Sequence, residues 1–155
     1  MRAVRTAAVV VLLTGLLAAC AAREPVMTVS SVDVQGLTGS QWLAEDVEGG
    51  GVVDGSHSTL EFAAADKVAG DTGCNRFMGP LAVEGTAIRL GPLATTRRAC
   101  PAALMDQERR YLQALARATG LHMEGPRLVL TDESGTALVR YARLEATAPP
   151  LPVRP

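Results

Sequence analysis

The chain has 155 residues, 15 basic and 16 acidic, for a formal charge of −1; 48% of it is apolar and only 3% aromatic. That length implies one domain, and its core must be mostly Val, Leu and Ala. Neither sign of charge runs in a block, Arg97-Arg98 and Arg109-Arg110 being only pairs, so the basic stripe of a nucleic-acid-binding protein is missing and no nucleic-acid partner is expected.

At the N terminus, MRAVRTAAVVVLLTGLLAAC sets Arg2 and Arg5 ahead of an apolar run from Ala7 to Leu17. Early cations, a short apolar run and then small residues are the layout of a secretory signal, too short for a comfortable membrane span. Its end, Leu17-Ala18-Ala19-Cys20, resembles a bacterial lipoprotein cleavage site. By that resemblance residues 1–19 are removed and Cys20 is lipidated; the alternative is an ordinary signal with an incidental cysteine. Two or more acyl chains anchor stably where one does not, so the product is tethered rather than spanning. Ala21 lacks the Asp that resembles an inner-membrane retention signal. The expected location is the cell envelope: the outer membrane facing the periplasm in a two-membrane cell, otherwise the outer face of the plasma membrane. Loss of Arg2 and Arg5 leaves 13 of the 15 basic residues against 16 acidic, a formal −3.

Residues 20–37 show no helical stripe and read as the lipidated cysteine followed by a flexible tether. Short β-type runs bounded by turn residues then follow. SQWLAEDV contains Trp42, EGGGVVDGSHS is a loop, and TLEFAA alternates with Leu60 and Phe62 on one side. KVAGDTG, PLAVEG, TAIRLG and LATT come next, with Glu84-Gly85 as a hairpin turn. One helix is predicted from about Pro101 to Ala118, with proline in its first turn, Gly120 past its end, and Leu104, Tyr111, Leu115 and Ala118 on one face. RLVLT and TALVRYARL close the domain, joined by DESG, and the proline-rich residues 145–155 form a disordered tail. The fold class is therefore mostly β (α+β): a small antiparallel barrel-like or strongly curled sheet with one covering α-helix.

The segment GCNRFMGPLAVEGTAIRLGPLATTRRAC, followed by Glu108, Tyr111-Leu112 and Leu115, resembles the META/HslJ domain. That family shows a GCN-x-x-x-G turn, a hairpin, a Thr-x-x-x-Cys segment and a helix with E-x-x-[FY]-L-x-x-L. The matching residues are Gly73, Cys74, Asn75 and Gly79, then Thr96, Arg97 and Cys100, then Glu108 onward; Trp42 and the paired last strands also fit. The resemblance covers 38–144, with a departure at Pro80, where members often carry an aromatic or other strand residue. It implies a bacterial envelope protein associated with heat and antibiotic stress, with no established catalytic activity.

With Cys20 taken by lipid, Cys74 and Cys100 remain, and two thiols exported to an oxidising compartment are expected to pair. A bridge across 26 residues stabilises by roughly 3.5 kcal/mol in the chain-entropy account. A redox thiol pair and a zinc site completed by His57 and His122 are the alternatives, although Cys-x-x-Cys is absent and neither histidine has ligand spacing. Gly73 and Gly79 permit positive φ, and Asn75 is read as capping its own turn, against a binding loop that displays Asn75 and Arg76. Arg76 and Phe77 are the candidates for contact with a partner. Glu108 sits on the apolar stripe of the helix, where a carboxylate needs a partner: Arg97, Arg98, or a local backbone or hydroxyl donor. A general acid/base role for Glu108 lacks a second carboxylate or a nucleophile beside it.

The sum is a lipid-anchored, non-catalytic envelope module that binds or supports another component, with no metal or cofactor. Its partners are the membrane, through the anchor, and an envelope protein or small molecule. A small-ligand carrier or inhibitor-type barrel is the alternative, and an enzyme comes last.

Overall fold

Alternation along the strands decides which side chains enter the interior. In the computed structural model, which describes residues 29–31 and 33–145, β2 (Gln41–Val47) turns Trp42, Ala44 and Val47 inward. The inward step from Ala44 to Val47 is three residues because Tyr141 pairs with Ala44 while Arg140 pairs with Asp46. That leaves Glu45 as the extra residue of a bulge, which bends the strand. Ser58, Leu60 and Phe62 face in from β3 (Ser58–Ala64), and Val68 and Thr72 from β4 (Lys67–Thr72). Between them Gly70 lies under the Phe77 ring, where a Cβ would come within 2.7 Å of the ring and 2.1 Å of the Thr59 carbonyl oxygen. The expected signal sequence, Cys20 and the expected tail beyond Glu145 lie outside the described residues.

β5 (Arg76–Glu84), β6 (Ala87–Leu90) and β7 (Ala94–Thr95) precede α1 (Ala102–Arg117), after which come β8 (Gly120–Glu124), β9 (Arg127–Thr131) and β10 (Ala137–Leu144). All pairings are antiparallel, in the order β8-β6-β5-β4-β3-β2-β10-β9, and β8 pairs with β9 to close the ring. β1 (Val29–Ser31) covers the outer half of β8, and β7 pairs with β5 beside β6. The curled, barrel-like sheet with one helix is as expected from the sequence. β5 is longer than PLAVEG suggested and carries Pro80 in its middle. Proline is tolerated there because Leu81 N donates to Asp66 in the loop on the β4 side. Pro80 therefore faces the opposite edge, at the break between β6 and β7, where its carbonyl accepts from Gly91 N and only the absent N–H goes unused.

α1 lies across one end of the ring, touching β2, β4, β6 and β10. Tyr111, Ala114 and Leu115 are fully buried beneath it. The predicted span of 101–118 differs only by the two caps, Pro101 and Ala118. Gly120 does not terminate the helix. It opens β8, where a Cβ would stand 2.6 Å from Thr131 Oγ1; its smallness serves a close strand contact.

The other end of the ring corrects the reading of 20–37 as tether where its residues are described, from Val29 onward. Residues 29–31 are a strand, and the 3₁₀ turn Val34–Leu37 places Val34 and Leu37 in the core. Gly39 N donates to the Phe62 carbonyl, and Trp42 Nε1 donates to Ser40 Oγ, which in turn donates to the Leu37 carbonyl. Leu37 thus fills the mouth opposite the helix. Leu37→Ala is expected to cost about 2–4 kcal/mol, less than the deepest core sites because the rim can partly collapse. An unchanged denaturation midpoint for this variant would show that the segment is a tether after all.

Candidate functional site

The turn between β4 and β5 is organised from its flanks. Gly73 adopts φ 89°, the left-handed region that glycine enters without strain. Its N–H donates to Asp71 Oδ1 at 2.7 Å, and Thr72 Oγ1 accepts from the N–H groups of Cys74 and Asn75 at 3.3 and 2.9 Å. Asp71 and Thr72 therefore cap the turn, and Asn75 does not cap itself as expected. The buried Asn75 side chain reaches across the chain instead. Its Oδ1 accepts from Arg98 N at 2.7 Å and Thr96 Oγ1 at 2.9 Å, while Nδ2 donates to Glu108 Oε2 at 2.9 Å and to the Arg98 carbonyl at 3.3 Å.

Glu108 takes hydroxyl and amide donors rather than arginine: Thr72 Oγ1 lies 2.8 Å from the same Oε2 that Asn75 reaches. The hydroxyl alternative is the one realised; Arg97 and Arg98 turn outward as exposed side chains. Cys74 and Cys100 are joined in a disulfide with Cα atoms 6.1 Å apart. A thiol zinc site and a free redox pair are thereby both replaced by a cross-link. Thr96 Oγ1 also accepts from Arg76 N, so residues 96–100 are held along β5 by side-chain bonds at one end and the disulfide at the other. Gly79 has no positive φ; a Cβ there would meet Leu93 Cδ2 at 2.7 Å and the Pro92 carbonyl oxygen at 2.9 Å. Phe77 is buried, against the expectation of a contact residue, while Arg76 is exposed.

Residues 35–145 match the family described as META domain. The chain belongs to the META-domain family. Among solved structures, this META chain is similar to a protein from Burkholderia xenovorans determined by NMR, with 25% identity and a TM-score of 0.57. That likeness covers 80% of this chain and 99% of the other. A second NMR structure is similar at 21% identity and TM-score 0.56, over 71% of this chain and 94% of the other, and shows the same fold. No curated protein matches the chain.

In this META domain the motif residues Gly73, Cys74, Asn75, Thr96, Cys100 and Glu108 converge on one joint among β5, the 96–100 segment and α1. Arg97, in the same motif, stays exposed outside it. The periodicity that singled out Glu108 passed over its neighbour. Gln107 is fully buried, its Oε1 accepting from Val53 N and its Nε2 donating to Ser56 Oγ and Ser58 Oγ at 2.9 and 3.0 Å. Its place four residues before Tyr111 was the available signal. A surface cleft of 540 Å³ beside it is bordered by His57, Ser56 and Asp71. Ser56 Oγ accepts from Gln107 and Asp71 Oδ1 from Gly73, and among the described residues no hydrogen bond joins Ser56 to His57 or Asp71, so the cleft shows no serine paired with a base. Among the described residues no group of three or more His, Cys, Asp or Glu side chains has the placement to hold a metal.

Inside the ring Tyr111 OH donates to the Thr59 carbonyl at 3.0 Å and lies 3.0 Å from Tyr141 OH. Tyr111 has one proton, already given to Thr59, so Tyr141 is the donor between the two rings. Tyr111→Phe leaves a carbonyl and a hydroxyl unpaired and is expected to cost about 2–3 kcal/mol, against roughly 1 for Tyr141→Phe, which strands neither group. Burial raises both phenol pKa values. The folded state then keeps protons that the unfolded state releases above about pH 10, so stability falls with rising pH by roughly 0.7 kcal/mol per unit for each ring across pH 9–11, steepening toward about 1.4 above that range. Urea titrations between pH 9 and 11 measure this slope, and the double Phe variant should lack it.

Proposed function

We propose that this META domain is a non-catalytic module, lipid-anchored through Cys20 in the bacterial envelope, that binds or supports another envelope component. The observation that carries the reading is the use made of the reactive side chains. Both domain thiols, Asn75, Glu108 and Thr72 are committed to bonds that hold the fold. Trp42, Tyr111, Tyr141, Phe62 and Leu60 fill the ring, each at 2% exposure or less, which weighs against a ligand carried inside. The anchor rests on Leu17-Ala18-Ala19-Cys20 and the stress association on the family resemblance.

Intact mass with and without reductant tests the anchor and the bridge together: a diacylglyceryl and acyl increment at Cys20 and a two-proton shift on reduction are expected. Chemical cross-linking in intact envelopes tests the partner. Failure to capture any envelope component with a chain that is lipidated and folded would sink the module reading.

A further inference from the structure

The ring is closed at one seam by very little. β6 meets β8 through a single residue pair, Ala87 with Gly120, supported by Ile88 N donating to the Thr119 carbonyl. Beyond Ile88 the outer edge of β6 and β7 is open. Leu81 N is turned toward Asp66, so the Leu81–Leu90 pair exchanges no ladder bonds, and the N–H and C=O of Leu90 point away from β5. The same alternation applies in β7: Thr96 N donates to the Arg76 carbonyl, which turns the backbone groups of its neighbour Thr95 outward. Neither Leu90 nor Thr95 finds a backbone hydrogen-bond partner on that side among the described residues.

A groove of 560 Å³ runs along this edge, with Leu90, Pro92 and Leu93 on one wall and Leu112 and Ala116 of α1 on the other. Exposed cations flank it. Arg89 lines the groove, while Arg97 and Arg98 follow β7 and Arg76 opposes it on β5; none forms an ion pair among the described residues. Asp132 and Glu133 stand on the far side of Arg89, and Asp132 Oδ1 is already occupied by Ser134 and Thr136.

We propose that the Leu90–Thr95 edge receives an extended protein segment by strand addition, a segment alternating apolar and acidic side chains. The proposal rests on the binding-module reading and gives it a surface. Main-chain bonds satisfy Leu90 and Thr95, apolar side chains enter the groove against Leu93 and Leu112, and carboxylates meet Arg89, Arg97 and Arg98. A protein fits better than lipid headgroups for two reasons. Phosphates would leave the strand edge and apolar groove unused. The chain also enters the ring at Val29, paired with Glu124 at the far end of β8, so the end from which the proposed anchor would extend is remote from this edge. The chain's own tail, with prolines at 149, 150, 152 and 155, has few N–H groups to add.

The test uses the full-length chain in detergent and two fluorescein-labelled heptapeptides, one alternating Glu and Val, the other Lys and Val, read by anisotropy. The acidic peptide should bind and the basic one should not. Binding should weaken about tenfold or more in R89S/R97S/R98S and in high salt. Thr95→Pro removes an outward donor without touching the β5 ladder and should weaken it similarly, and both variants should melt with the parent. Equal binding of the two peptides, no binding of either, or unchanged affinity in folded R89S/R97S/R98S overturns the proposal. A tenfold gain on removing residues 146–155, or a dimer by sedimentation that Thr95→Pro dissociates, assigns the edge to the tail or to a second copy and likewise overturns it. These outcomes leave the module reading to the envelope cross-linking, which does not depend on this edge.

Discussion

Asn75→Leu is expected to lower the unfolding free energy by about 3–4 kcal/mol, although leucine keeps the same branched outline of heavy atoms. The loss comes from what is left behind. Arg98 N and Thr96 Oγ1 lose their acceptor, the Arg98 carbonyl loses a donor, and Glu108 Oε2 keeps only Thr72. The hydrogen bond to the carboxylate is the largest contribution, because bonds to charged groups are worth about 1.5–3 kcal/mol. The midpoint of urea unfolding should fall while its slope stays constant, since the surface exposed on unfolding is unchanged. Asn75→Asp sharpens the test: it keeps an acceptor for Thr96 and Arg98 but sets a second carboxylate against Glu108, and it should be at least as damaging at neutral pH. A cost below about 1 kcal/mol for Asn75→Leu would return Asn75 to a local turn residue or a free binding group.

Replacing both Cys74 and Cys100 by serine is expected to remove roughly 3.5 kcal/mol, chiefly by freeing the unfolded chain. The figure follows from the 26-residue separation of the two cysteines. Against a typical net stability of about 5–15 kcal/mol, this change leaves a folded but weakened domain. Reductant added to the parent should reproduce the shift in thermal melting. The cross-link and Asn75 restrain the same segment from opposite ends, so the serine pair combined with Asn75→Leu should be non-additive. Strict additivity would mean that residues 96–100 are held by neither group in the way the geometry indicates.

Much of the architecture was legible because the interactions that set it are local. Period-two alternation marked β3, bounding turn residues marked β2, β9 and β10, and the stripe through Leu104, Tyr111 and Leu115 marked α1 within one residue at each end. Counting the cysteines left once Cys20 was set aside named the bridge, and the order of the motifs named the family. What escaped notice was short or had its cause elsewhere. β1 is only three residues long and exists by pairing with β8, and β8 begins at a glycine that resembles a helix stop.

The sequence by itself determined a curled antiparallel sheet, one helix and one cross-link, because side-chain period, capping and thiol count depend on neighbours along the chain. Only the tertiary structure decided that Asn75 bonds to Thr96, Arg98 and Glu108 rather than to its own turn, that Phe77 is core, that Val34 and Leu37 close the second mouth, and that the seam beside β6 is left open. Each of these is a contact between segments distant along the chain. Such partners become neighbours only when the ring closes, and residue type and local spacing carry no direct record of that closure.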